Sequence, residues 1–135
     1  MVRWCVLADA MLTLFKGAVA GGVSTKSTPI LQWAPCVSPI PDTLDCSELQ
    51  VPMDYDHPEN GNVTLGLARQ NATAASSSVV GNLIINPGGP GGSAVGTVVQ
   101  QAEAEAMGAP YGFVSLELSR HCNIIGPDPR GVGLT

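Results

Sequence analysis

Apolar positions along this chain recur with two periods, and the change of period marks its elements. Val63, Leu65 and Leu67 alternate with Thr64, Gly66 and Ala68, the period of two that a half-buried strand requires. Leu49–Tyr55 and Asn62–Arg69 are two extended segments, separated by Asp56–Gly61, whose Asn60-Gly61 pair is hairpin turn chemistry. Leu83-Ile84-Ile85 is too short for a buried helix and rich in β-branched residues, so it predicts a buried strand. Val95, Val98, Val99, Ala102 and Ala106 then follow at helical spacing, with Gln100, Gln101, Glu103 and Glu105 expected to face outward. Ser93 is placed to cap this helix and Gly108 to stop it. His121–Gly126 predicts a second buried strand. The expected class is α/β: a hairpin, then a strand–helix–strand unit that should be parallel and right-handed.

Between the first buried strand and the helix lies Gly88-Gly89-Pro90-Gly91-Gly92. Four glycines in five positions bring the backbone close to something or take dihedrals that other residues avoid. A strand, a glycine turn and a helix start together aim backbone N–H groups at one point, which suits an anion or a developing oxyanion. The second strand runs into Pro127-Asp128-Pro129-Arg130-Gly131-Val132-Gly133, a loop at the edge where α/β sheets collect ligand sites.

Composition narrows the picture. A chain of 135 residues is at most one domain, and 44% hydrophobic with 13% charged residues argues against disorder. A net charge of -5, with six Lys and Arg in all, argues against nucleic acid as a partner. No uninterrupted apolar run is long enough to span a membrane. Residues 1–20 resemble a signal peptide, with Arg3 early, an apolar stretch broken by Asp9 and Lys16, and Ala18-Val19-Ala20 as the cleavage site. Residues 21–35 are a Gly/Ser/Thr/Pro linker, and Trp33-Ala34-Pro35-Cys36 leads into the folded part, with Trp33 as a packing anchor. Two sequons, at Asn62 and Asn71, agree with a secreted, glycosylated protein. Cys36 and Cys46 flank a Pro-rich loop and predict a local disulfide, while Cys122 in its apolar strand predicts a buried thiol. No CxxC pair or His cluster suggests a metal.

Several chemistries compete for the glycine turn. A phosphate-binding P-loop needs a Lys that the helix start lacks. Gly89–Ala94 formally satisfies the dinucleotide pattern GxGxx(G/A), with Asp128 as the candidate ribose-binding acid. Against that, Pro90 deletes an N–H from the loop that would cradle a pyrophosphate, and no cofactor is expected. Glu103 and Glu105 diverge on a helix and are read as a solvated face rather than a carboxylate pair. His57 falls in the hairpin loop with no nucleophile nearby, and His121 opens its strand at the end away from the loop.

The third reading is an oxyanion hole of the α/β-hydrolase kind, which draws one N–H from a glycine-rich loop. Here VPMDYDHP, GNLIINPGGPGGS and NIIGPDPRGVG together resemble the N-terminal part of secreted α/β-hydrolase peptidases, the tripeptidyl-aminopeptidase and proline-iminopeptidase-like enzymes. The resemblance covers residues 33–135. It implies an incomplete α/β-hydrolase fold over residues 36–135, with Gly88 and Gly89 supplying oxyanion N–H groups. It implies that Asp128, Arg130 and Gly131 form a site-shaping turn and that Cys36 and Cys46 match the family's disulfide. Members usually show Ser or Thr where Thr135 stands.

The family's nucleophile elbow, G-x-S-x-G, occurs nowhere in these 135 residues, and neither His is placed to activate Ser93. The expectation is therefore a piece of a serine hydrolase acting on peptides or small esters, with no Ser/Asp/His triad of its own. Its partner would be the missing part of the fold; an inactive binding remnant using its open sheet edge is the alternative. The Leu83–Asn86 strand should lie at a naked edge, with one face of Ile84 or Ile85 and Ile124 or Ile125 open, which predicts a marginally stable, aggregation-prone chain.

Overall fold

A computed structural model describes residues 31–109 and 112–135 of the chain. The expected signal peptide, Cys5 and most of the expected linker lie outside the described residues. Five strands form one mixed sheet: β1 (Ala34–Pro35), β2 (Asp45–Pro52), β3 (Asn62–Gln70), β4 (Gly81–Ile84) and β5 (Cys122–Pro127). Two helices accompany them, α1 (Ala94–Ala106) and α2 (Leu116–His121). The spatial order is β1-β2-β3-β5-β4. β2 and β3 make the predicted hairpin, in register from Asp45 opposite Arg69 to Pro52 opposite Asn62. β3 pairs antiparallel with β5, and β4 pairs parallel with β5, as a strand–helix–strand connection demands.

α1 packs across β3 and β5. The core under it joins Ala68, Ile85, Val95, Val98, Val114 and Ile124 with Cys36 and Leu44. Gly126 makes the approach possible: a Cβ there would collide with the carbonyl oxygen of Ala94 in the first turn of α1. Ser93 caps α1 as expected, accepting from the Gly96 N–H at 2.9 Å, and Gly108 follows with φ +72°. A disulfide joins Cys36 to Cys46, clipping β1 to β2.

Several expectations are corrected. β2 starts at Asp45 and ends at Pro52, earlier than the Leu49–Tyr55 segment read from the pattern. β4 begins at Gly81, ahead of the apolar run, though Ile85 still donates to the Ile125 carbonyl at 2.9 Å. His121 closes α2 instead of opening the second buried strand. That helix has a Ser115 cap, but its six residues carry no apolar stripe, and Leu116 and Leu118 are exposed. Gln101 is 1% exposed, not outward-facing. Its Oε1 accepts from the Val114 N–H at 2.9 Å and its Nε2 donates to the Val114 carbonyl at 3.0 Å. Val114 thereby finds both of its backbone partners in one amide. Glu105 is likewise not merely solvated, since it accepts from Gln70 at 2.8 Å and Gln101 at 2.7 Å. Cys122 is disulfide-bonded, so the expected thiol is not there.

Among the described residues β4 lies at the sheet edge, bonded only to β5. The expected open face is narrower than the pattern suggested. Ile84 is 48% exposed, whereas Ile85, Ile124 and Ile125 are buried.

Candidate functional site

Three segments converge on one edge of the sheet. β4 and β5 are parallel, so the glycine turn after β4 and the turn after β5 leave from the same edge. β3 meets the end of β5 at Leu67 opposite Pro127, so its first residues and the hairpin loop project beyond that edge too.

Asp128 binds these segments together. It is fully buried. Its Oδ1 accepts from the Ser93 hydroxyl at 2.8 Å and from the Val95 N–H at 3.0 Å, and its Oδ2 accepts from the Leu134 N–H at 2.9 Å. Its own N–H donates to the Gly66 carbonyl at 2.9 Å. A carboxylate with this many donors is well placed for burial. The same saturation removes it as a ribose ligand, so the dinucleotide reading loses its acid. The helix start offers little to a phosphate as well: the Val95, Gly96 and Thr97 N–H groups are taken by Asp128, the Ser93 hydroxyl and the Ser93 carbonyl.

Arg130 reaches the hairpin. Its Nη1 donates to the Met53 carbonyl at 2.8 Å and its Nη2 to the Pro52 carbonyl at 2.7 Å, with the guanidinium 4.9 Å from the Tyr55 ring centre. Gly131 sits beside it at φ +75°. Thr135 Oγ1 accepts from the Gly66 N–H at 3.2 Å and donates to the Asp128 carbonyl at 3.3 Å, closing the turn onto β3.

In the glycine turn itself, Gly88 has φ +85° and its N–H donates to Asn86 Oδ1 at 2.9 Å. The Gly89 N–H has no acceptor among the described residues. The turn is too tight for side chains: a Cβ on Gly89 would lie 2.7 Å from the Gly91 nitrogen, and one on Gly92 would strike the Gly88 carbonyl oxygen. Asn86 carried no apolar or charged signal that would have singled it out; its spacing two residues before a glycine was the only clue.

The other expected residues lie apart from this edge or on its margin. His57 is exposed, 3.3 Å from Glu59. His121 Nδ1 sits 3.0 Å from the Ser78 carbonyl. Asn62 is exposed as the first residue of β3, and exposed Asn71 donates to Asp45 Oδ2 at 2.8 Å. Arg69 donates to the same Asp45 oxygen at 2.6 Å and lies over Trp33, 4.4 Å from its ring centre. Together these donors, Arg69 first, hold the Asp45 carboxyl below the ordinary aspartate value. A cavity of about 600 Å³ lies between the Cys36–Cys46 loop, β2, β3 and Leu134, away from the glycine turn. No cluster of three metal-ligating side chains occurs among the described residues, and no helix among them is long and apolar enough to cross a membrane.

No protein-family model matches the chain. Curated relatives do. Carboxylesterase B of Mycobacterium tuberculosis is 35% identical over 122 residues, which cover 84% of this chain and 21% of that protein. Serine protease Hip1 of the same organism is 34% identical over 142 residues, covering 98% and 25%. Tripeptidyl aminopeptidase of Streptomyces lividans is 32% identical over 105 residues, covering 76% and 18%. The chain spans between 18% and 25% of the length of these three relatives. Over most of its own length the chain is thus similar to hydrolases of the serine-peptidase type, the kinship that its glycine turn and Asp-Pro-Arg-Gly loop imply.

Proposed function

We propose that this chain forms the N-terminal part of a secreted α/β-hydrolase whose full protein cleaves peptides by acyl transfer through a serine. In that reading a serine supplied from outside these 135 residues attacks the substrate carbonyl. The carbonyl oxygen takes on negative charge and is held by N–H groups of the Gly88-Gly89 turn. Asp128, Arg130 and Gly131 shape the site by fixing the turn after β5 against the helix start and the hairpin. The single observation that carries this reading is a glycine-turn N–H, that of Gly89, with no acceptor among the described residues, at the shared carboxyl edge of two parallel strands. Relatives named as a serine protease and a tripeptidyl aminopeptidase support the peptide substrate, and the one named carboxylesterase keeps small esters within the class. The Cys36–Cys46 disulfide and the exposed sequon residues Asn62 and Asn71 support an oxidising, extracellular setting.

The test begins with the size of the native protein. An antibody against residues 46–69 is applied to deglycosylated culture fluid and cell extract. A band several-fold heavier than 13.8 kDa supports the reading, and that species should hydrolyse aminoacyl fluorogenic substrates with sensitivity to serine-directed phosphonates. A band at or below 13.8 kDa, with no such turnover, overturns it. It would favour the second reading, a non-catalytic module that binds through the open edge of β4, where Val80 and Ile84 are about half exposed.

A further inference from the structure

The glycine turn offers two candidate oxyanion donors, but the structure treats them differently. The Gly88 N–H is already spent on Asn86 Oδ1, 2.9 Å away. The Gly89 N–H has no acceptor among the described residues, and Pro90 contributes none. The peptide between Gly88 and Gly89 is trans, so its C=O and N–H point in opposite directions. Its carbonyl oxygen is lodged against Gly92, where a Cβ would collide with it. The Gly89 N–H is consequently directed away from Gly92. Asn86 holds the preceding peptide unit, Pro87–Gly88, through the Gly88 nitrogen, and the carbonyl of the next unit lies against Gly92.

We infer that Asn86 is a positioning residue: it retains the Gly88 N–H and so, of the Gly88-Gly89 pair, leaves the Gly89 N–H as the donor presented to a substrate oxyanion. The inference rests on the oxyanion reading given above, and it narrows that reading from two donors to one. Asn86 touches no reacting atom. Its contribution is to fix the Pro87–Gly88 plane at the entry to the turn, so that one fewer backbone plane has to reorient when a substrate oxygen meets the Gly89 N–H. Asp at this position would keep the acceptor oxygen; Ala would not.

The experiment is residue-resolved amide exchange on the ¹⁵N-labelled chain, with Asn86→Ala and Asn86→Asp, followed by titration with sodium formate as a small oxyanion probe. The expected result is a Gly88 amide that exchanges slowly in the native chain, roughly three- to tenfold faster in Asn86→Ala, and slowly again in Asn86→Asp. The Gly89 amide should exchange fast throughout and be the one that formate shifts in the native chain, while in Asn86→Ala formate should shift Gly88 as well. Unchanged Gly88 exchange in Asn86→Ala, or a formate shift at Gly88 of the native chain, overturns the inference. If formate moves neither amide, the oxyanion reading fails, while the exchange pattern alone still decides whether Asn86 holds Gly88. The exposed position of Asn86 makes both variants compatible with folding.

Discussion

Ser93 and Asp128 stand 35 positions apart in sequence and are joined by a 2.8 Å hydrogen bond, the hydroxyl donating to the carboxylate. Ser93 in turn caps α1, so the carboxylate that ends β5 reaches the helix start through its hydroxyl and directly through the Val95 N–H. This contact ties the glycine turn to the loop after β5. The expected consequence is that Asp128→Asn, though isosteric, is costly. Its amide nitrogen would meet either the Leu134 N–H or the Ser93 and Val95 donors, leaving donors face to face. A loss of about 2 kcal/mol is expected from hydrogen bonds to a charged group, read as a lower urea midpoint at unchanged slope. A variant as stable as the native chain would show that the three donors find water instead.

Gln101 should behave as a structural residue despite its polar side chain. Replacing it with Leu keeps similar volume but strands the Val114 N–H and carbonyl, both supplied by its amide. A destabilisation of about 1–3 kcal/mol is expected for buried groups left unsatisfied. Faster exchange of the Val114 amide should accompany it, whereas Gln100→Leu, on the exposed face, should leave both measurements unchanged.

The Asp45 carboxyl is held below 3.8, its ordinary value, first by the Arg69 guanidinium and then by the Asn71 amide. Because the folded value is the lower one, the unfolded chain binds the proton more readily. The stabilisation from this pair is therefore fully present well above pH 3.8 and fades as pH falls through the folded value. Both side chains are about a quarter or less exposed, 22% for Arg69 and 23% for Asp45. Urea midpoints of the native chain and Asp45→Asn should differ at pH 6 and converge as acid is added. A difference independent of pH would mean that packing, not charge, decides the site.

Arg130→Lys should loosen the hairpin without unfolding the domain. Lysine cannot donate to the Pro52 and Met53 carbonyls in the fork that Arg130 uses, nor stack as a plane on Tyr55. As the side chain is exposed, a global loss of no more than about 1 kcal/mol is expected. The sensitive readout is limited proteolysis within residues 53–61, which should quicken several-fold relative to the native chain.

The sequence by itself determined what local chemistry determines. Alternation at Val63, Leu65 and Leu67 set a strand, the valines and alanines of α1 set a helix, and Ser93 and Gly108 set its ends, because propensity and capping act over a few residues. The glycine turn and the Asp-Pro-Arg-Gly loop were visible for the same reason. Tertiary structure decided everything that depends on a distant partner. Gln101 looked outward-facing until Val114 came to lie against it. Cys122 looked like a thiol, and α2 was hidden because six residues give no period to read. Asn86 was one polar residue among many, and Asp128 was a turn residue whose three donors come from Ser93, Val95 and Leu134. Long-range hydrogen bonds leave no trace in a local pattern, since either partner alone is an ordinary polar residue, and only the register of β4 on β5 brings the two turns to one edge.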